Sequence, residues 1–457
     1  MEGGMSGWGI RHMSHVSDHP FPTPTPQPEL RRRRRRHHRR HPSPPPQPTY
    51  SSRHPFQAME KPVEEPMSRL THDLIAEILS RVPYKSLCIC KCVCPAWRDL
   101  IADPAHQKKM AQTLAGFFYH INDESTAVPR GFAGVKYADM SAFPWSSVPE
   151  IHPRLPLPPD STDCFVFLEG SCDGLFLACI YMRTPAGATR YMVSNPATSE
   201  YIVLPHSGYA GNAYLGFDRA ASTEGFHVFE FVEDWSPPDH RGKESMVVTR
   251  VRIYSSKTGA WVAMEPKWDI QVSLCFGQPG VFHKGCLHLL TDESGLAIVD
   301  AEGLRWRTVP LPILVARSFS GFIGKSAGQL LYIASLDSQG YGSDRSLTIS
   351  IYVLNVEIYN WDVCHQDDKR MYWKLYKFSN VIPKKKFLKV IGVHPHANLI
   401  FIAHSKNEML AYDLDRHESP VVYHLDHNYH RFMQFCPYVP LLSYLPLDGA
   451  IRLAAPN

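Results

Sequence analysis

Four cysteines stand at alternate positions, Cys88, Cys90, Cys92 and Cys94, and thiolates are favoured zinc ligands. Structural zinc sites leave enough chain between paired ligands for a turn to wrap the ion. In a helix, side chains two residues apart point about 200° from each other, so sulfurs at this spacing cannot converge. The row reads as packing thiols. Gly170-Ser171-Cys172-Asp173-Gly174 has the outline of a nucleophile elbow, but an elbow needs a helix behind the nucleophile. The next residues, Leu175-Phe176-Leu177-Ala178-Cys179, make a strand-like run, so the stretch reads as a tight β-turn. His283 and His288 flank a glycine and His394 and His396 flank a proline. Without local acidic or second-ligand partners, each reads as a turn or surface residue. No phosphate loop, dinucleotide fingerprint or zincin motif occurs. Lys384, Lys385, Lys386 and Lys389 make a basic patch that reads as a solvated loop and strand start, or as a face toward an acidic partner. The expectation is a chain with no catalytic residue, no cofactor and no metal.

The elements that would position any site must be read from composition and pattern. At 457 residues the chain has room for two or three domains. A hydrophobic share of 44% supports a sizeable core, and 11% aromatic residues suit a sheet-rich one. The net charge of +4 is unevenly placed: residues 1–66 hold eleven Lys/Arg against six acids, and the remainder is nearly balanced. No domain-wide nucleic-acid surface is implied, so nucleic acid is not an expected partner. Eleven cysteines without framework spacing fit reduced thiols in the cytoplasm or nucleus. No apolar run approaches the ~20 residues that span a bilayer, and no signal-peptide core is present, so a soluble intracellular protein is expected.

Residues 1–66 read as a disordered tail, Pro-rich on both sides of the run RRRRRRHHRRH. That run is a candidate nuclear-import signal or a nonspecific phosphate contact. Residues 67–108 read as three short helices. The first, about Asp73 to Val82, carries Leu74, Ile75, Ile78, Leu79 and Val82 as one apolar stripe. Thr71 or Asp73 can cap it, and Pro83 stops it. Ser86 can cap a second helix bearing Leu87, Ile89, Cys90 and Val93. Pro95 opens a third with Trp97, Leu100 and Ile101, which Asp103-Pro104 ends. A short helical tail, Gln107 to Leu114, leads out through a connector (109–116). So small a unit cannot hide that much apolar surface within itself, which marks it as a docking module or as a subdomain packed on the rest.

From residue 117 to about 450 the texture is all-β. Two phrases alternate. One is a small residue before an apolar run (170–182, 225–232, 280–290, 324–336, 392–404), and the other is a turn before an aromatic strand (195–205, 254–264, 299–312, 356–363, 412–425). Spacings such as the 43 residues from Gly285 to Gly328 suit propeller blades of about 40–50 residues. The phrases fit inner and outer strands of five blades. Strands from 117–168 could pair with a strand near Phe432 to Leu445 to close a sixth, with 451–457 as a tail. The fold class is mainly β with a small α domain.

The helical pattern Leu70-x-x-Asp73-Leu74-Ile75-x-Glu77-Ile78-Leu79-x-Arg81-Val82-Pro83, with Lys85-Ser86-Leu87 and Cys92-Val93-x-x-x-Trp97-Arg98-x-Leu100-Ile101-x-Asp103-Pro104, resembles the F-box. The stretches SCDGLFLAC, SNPATSEYIVLP, IYSSKTGAWVAM and VDAEGLRWRTVPLP resemble the F-box-associated, kelch-like propellers of plant F-box proteins, although paired kelch glycines are absent. The resemblance implies a substrate-recognition subunit of an SCF-type cullin–RING ubiquitin ligase. Its F-box would dock on a Skp-type adaptor through Leu70, Thr71, Leu74, Ile75, Ile78, Leu79, Val82, Leu87, Val93 and Trp97, and its propeller would hold a protein substrate. Thr71 stands where the family usually has proline, so weakened adaptor binding is an expectation. The alternative is a non-ligase interaction scaffold or a degenerate F-box protein. Loops 206–213, 233–246 and 337–346, with Tyr209, Trp235 and Tyr341, are candidate substrate contacts.

Overall fold

The computed structural model describes residues 70–454 apart from 121–134, 141–152, 159–163, 183–188, 220–224, 238–243, 313–319, 338–345, 362–370, 384–387, 426–433, 447–452 and some shorter stretches. The expected tail with its Arg/His run lies outside the described residues, as do Lys384, Lys385, Lys386, Tyr209 and Tyr341.

The helical unit comprises α1 (His72–Ser80), α2 (Tyr84–Cys90), α3 (Pro95–Ala102) and a single turn, α4 (Pro104–Gln107). Thr71 is extended and its hydroxyl accepts from the Leu74 amide at 3.4 Å, filling one of the unpaired first-turn donors. Pro95 opens α3, where its missing N–H costs nothing. One expectation changes. Ser86 lies inside α2 rather than capping it, because Tyr84 is drawn into the helix by its edge-on packing against Tyr438, ring centroids 6.4 Å apart. Of the expected helical tail Gln107–Leu114, residues 108–109 and 111–113 lie outside the described residues, and the turn seen is Pro104–Gln107. The Asp103 carboxylate accepts from the Ala105 amide at 2.8 Å and starts α4 there. Gln107 then folds its amide back onto the Ile101 carbonyl, and the Ala115 amide donates to the Tyr438 carbonyl at 2.8 Å.

The rest is a six-bladed β-propeller. Strands β1 (Gly116–His120) and β2 (Val135–Asp139) come first. The next blade is β3 (Cys164–Cys172), β4 (Leu175–Met182), β5 (Thr189–Asn195) and β6 (Glu200–Val203). Then come β7 (Asn212–Phe217), β8 (Phe226–Trp235), β9 (Met246–Ser255) and β10 (Ala260–Met264), followed by β11 (Val281–His283), β12 (Cys286–Leu290), β13 (Gly295–Asp300) and β14 (Trp306–Pro310). The fourth set is β15 (Ser320–Ser326), β16 (Gln329–Asp337), β17 (Ser346–Leu354) and β18 (Trp373–Pro383). The fifth is β19 (Leu388–Val393), β20 (Leu399–His404), β21 (Glu408–Asp413) and β22 (Val421–His424). Strand β23 (Phe435–Tyr438) returns to pair with β1, making the sheet β2-β1-β23 that closes the ring. A second closure joins β24 (Leu453–Ala454) to the outer edge of β6, so part of the expected tail is a strand. Closure of both kinds hides sheet edges that would otherwise template association. One expected strand differs: Val356–Tyr359 is a 3-10 turn, and the outer strand of its blade is Trp373–Pro383.

Strands β23, β3, β7, β11, β15 and β19 line the centre, each touching the next. Each pair of adjacent blades seals on its own apolar cluster. Leu175, Leu177 and Val193 meet Ala213, Leu215 and Val228 in one, and Ile391 and Phe401 meet Phe117 and Tyr119 in another. Inner hairpins turn on Asp173-Gly174, Lys284-Gly285 and Ala327-Gly328, all at positive φ, the signature of two-residue turns matched to strand twist. Gly174 has no alternative: at φ +98°, a Cβ would lie 2.5 Å from the Val439 carbonyl.

Candidate functional site

Alternation within the helical unit divides its apolar side chains into two sets. Ile75, Leu79, Leu87, Leu100, Ile101 and Met110 are buried, with Leu70, Val82, Tyr84 and Trp97 packed against them. Leu442 and Ala197 of the propeller join the same cluster, so this set anchors the helices to the blades. Lys91 donates to the Leu442 carbonyl at 3.4 Å, and burial lowers its pKa. The other set faces solvent: Leu74 is 52% exposed, Ile78 51%, Ile89 54% and Val93 62%. Of the ten residues expected at an adaptor interface, Thr71, Leu74, Ile78 and Val93 are therefore open, while the other six lie wholly or partly inside. Ile89 is not among the ten; its spacing in α2 marks it as apolar but not as outward-facing.

The cysteine row does not converge. Cys92 is exposed, Cys88, Cys90 and Cys94 are half-buried, and burial raises the pKa of Cys88 and Cys90. Among the described residues, no three His, Cys, Asp or Glu side chains stand close enough to hold a metal. In the elbow-like stretch, Ser171 donates to the Pro437 carbonyl at 2.7 Å and Cys172 to the Phe217 carbonyl at 3.1 Å. Burial pushes the Cys172 thiol up to about 12, the reverse of what a nucleophile needs. His283 and His288 are core residues rather than turn or surface ones. The His288 ring is wedged between the Val281 carbonyl (Nδ1, 3.1 Å) and the Tyr359 hydroxyl (Nε2, 3.0 Å), and burial holds it neutral, with its pKa down to about 3. His394 is a turn residue whose Nδ1 accepts from the Ala397 amide at 2.9 Å.

The six inner strands enclose a channel with a cavity of about 340 Å³. Their carboxyl ends meet at one mouth. There Lys325 pairs with Asp173 at 3.2 Å, and that carboxylate keeps the lysine charged against its burial. Arg219 donates to the Asp173, Val439 and Pro440 carbonyls at 3.2, 3.1 and 2.8 Å, stitching the returning C-terminal segment to β3 and β7. Asn195 adds bonds of 2.9 Å to the Leu441 and Ser443 carbonyls. The helices dock beside this segment, so this is the helical end of the propeller. Antiparallel alternation then sends the strand ends bracketing 206–211, 236–245 and 338–345 to the opposite end. Trp235, 68% exposed, stands there opposite Met246 in the β8–β9 register. Arg219 and Lys325 carry no sequence signal, since each lies alone among ordinary turn residues.

Residues 67–108 match the family model of the F-box domain, and residues 127–436 match that of the "F-box protein At3g26010-like, beta-propeller". The F-box protein At5g07610 of Arabidopsis thaliana is 23% identical over 316 residues, covering 65% of this chain and 70% of its own. The F-box/kelch-repeat protein At3g17530 of the same plant is 27% identical over 198 residues, covering 43% and 48%. The chain spans 42% of the length of another such relative, so these likenesses are partial. Among solved structures, an oligogalacturonate lyase in complex with manganese matches with 13% identity over 60% of this chain and 68% of its own, at a TM-score of 0.33, too distant to bear on function.

Proposed function

This chain belongs to the F-box proteins with an At3g26010-like β-propeller, and on that premise we propose that it is a substrate-recognition subunit of an SCF-type cullin–RING ubiquitin ligase. F-box domains as a class bind Skp-type adaptors, and proteins of this architecture are as a rule adaptors rather than enzymes. The chain then contributes proximity, holding a substrate near a thioester carried by another subunit. The cytoplasm or the nucleus is the compartment that goes with this reading.

The observation that carries the proposal is the split of apolar residues in the helical unit. Leu74, Ile78, Ile89 and Val93 form an uncovered set on helices whose opposite side is locked to the propeller through Leu442 and the Tyr84–Tyr438 contact. Exposed apolar side chains on short helices suit a partner's helices. The opposite end of the propeller, with Trp235 and the long connections, is left for a substrate. In a pull-down with a Skp-type adaptor, wild type should be captured and Ile78→Asp should not, with the variant's thermal unfolding unchanged. Failure of wild-type capture would sink the proposal. Capture without any protein accumulating on proteasome inhibition would favour a non-ligase scaffold.

A further inference from the structure

The Lys325–Asp173 pair joins strands that face each other across the channel. Around the ring the inner strands follow the order β23, β3, β7, β11, β15, β19 and back to β23, each in contact with the next. In a ring of six, β15 stands opposite β3. Lys325 lies one residue from the end of β15, and Asp173 opens the turn that follows β3. Their side chains meet at 3.2 Å, so the ammonium reaches over the mouth to the far wall. The strands between them add charge to the same opening. Asp218, just after β7, attracts Lys325, and His283, at the end of β11, feels the charges of Lys325, Asp218 and Asp173.

The two partners are held differently. Asp173 is fixed: its carboxylate also accepts from the Arg219 amide at 3.3 Å, and its carbonyl accepts from the Arg219 guanidinium at 3.2 Å. Its backbone is at φ +46°, a left-handed position that Asp tolerates better than most residues. Among the described residues, the Lys325 ammonium makes no hydrogen bond or ion pair besides the one to Asp173. It is a flexible arm on a four-carbon stem, caught only at its tip.

Behind the pair lies the channel cavity of about 340 Å³, at the lower end of ligand-sized pockets. Asp173, Asp218 and Lys325 line it at this end, and Leu215, Val281, Phe322 and Ile323 give it apolar walls. The side chains of Lys325 and Asp173 are 27% and 15% exposed. A pair this far from water adds little net stability, since desolvation offsets attraction. Its position over the opening is what distinguishes it.

We propose that Lys325 is a gate: paired with Asp173 it shuts the helical end of the channel, and when the pair parts a small solute passes into the cavity. The gate goes beyond the adaptor reading and does not depend on it.

Cys172 reports the state of the gate, because it lines the cavity and precedes Asp173 in the chain. The full chain is treated with methyl methanethiosulfonate, and labelling of each thiol is timed by mass spectrometry. Cys179 and Cys286, buried outside the cavity, report general loosening of the blades. Lys325→Met and Asp173→Asn should each speed Cys172 labelling at least about fivefold, and the double variant should go no faster than either, since both remove one pair. Losing the ammonium also takes away a charge that lowers the Cys172 pKa, which by itself slows the reaction, so a gain reports access. Raising salt from about 0.05 to about 1 M should speed labelling in wild type and not in Lys325→Met, because only the ion pair is screened.

Equal Cys172 rates in wild type and folded Lys325→Met overturn the proposal, because the reagent then enters elsewhere. So does parallel acceleration of Cys172, Cys179 and Cys286, which makes the pair a strut between blades, and so does a wild-type rate indifferent to salt. Asp173→Asn retains an oxygen for the Arg219 amide, so the comparison stands on it if Lys325→Met does not fold. No adaptor takes part, so failure here leaves the adaptor reading to its own pull-down.

Discussion

Truncating the uncovered side chains of the helical unit should abolish adaptor affinity while leaving the fold intact, and exposure sets the size of the effect. Leu74, Ile78 and Val93 are 52%, 51% and 62% exposed. Full burial of such a side chain is worth about 1.5–3 kcal/mol, so covering the open half of each contributes about 1 kcal/mol. The triple variant Leu74→Ala, Ile78→Ala, Val93→Ala should lose about 3 kcal/mol of binding, roughly 150-fold in Kd. Its thermal midpoint should fall much less than that of Leu79→Ala, because about half of each removed side chain is already open to solvent. Ile89→Ala, at 54% exposure, should add a similar single increment. Leu79→Ala is the control. At 1% exposure, inside the cluster shared with Leu442, it should cost about 2–5 kcal/mol of stability. Calorimetric titration of a Skp-type adaptor beside thermal unfolding measures both quantities. The reasoning fails if the triple variant binds within about threefold of wild type, or if Leu79→Ala unfolds at the wild-type temperature.

Three further outcomes concern the propeller. Glu169 has its carboxyl raised by burial from 4.5 to about 7; the protonated form favours the fold, so that stability is fully present below the unfolded value and is lost as pH rises through about 7. Glu169→Gln should therefore stabilise the protein at about pH 8 by on the order of 2–3 kcal/mol and flatten that part of the profile, as read by urea midpoints. The buried His283 and His288 act in the opposite sense. Their pKa values are depressed to about 4 and about 3, so stability falls as pH drops below the unfolded value of 6.5. Each should cost about 2 kcal/mol by pH ~5, and His288→Gln should remove its share of the slope; an unchanged midpoint between neutral and mildly acid pH would count against both. Arg219→Met leaves three carbonyls, one buried and two part-buried, without their donor and should destabilise by about 3 kcal/mol, with faster proteolysis of the C-terminal segment.

Local chemistry made much of this architecture legible. The α1 cap at Thr71, the proline start of α3 and the Asp173-Gly174 turn each depend on a residue and its near neighbours, and the structure places all three where pattern predicts. The alternation of apolar runs and aromatic strands marked most blade strands for the same reason. It failed at Val356–Tyr359, which closes on itself as a 3-10 turn, because the strand that pairs with β17 comes later, at Trp373. Ile89 and Leu87 lie two apart on α2, equally apolar, yet one is 54% exposed and the other 4%. Nothing in their order separates them.

What the residue order alone determined is a helical unit with too much apolar surface, succeeded by repeated strand pairs with no local catalytic pattern, because periodicity, capping and turn preference act within a few residues. Only the tertiary structure decided which half of that surface is spent on the propeller, how the last strands close the first blades, and that His283 and His288 are sealed in the core. Those outcomes depend on pairings such as Phe435 with Tyr119 and Arg219 with Pro440, hundreds of residues apart, which no local pattern encodes.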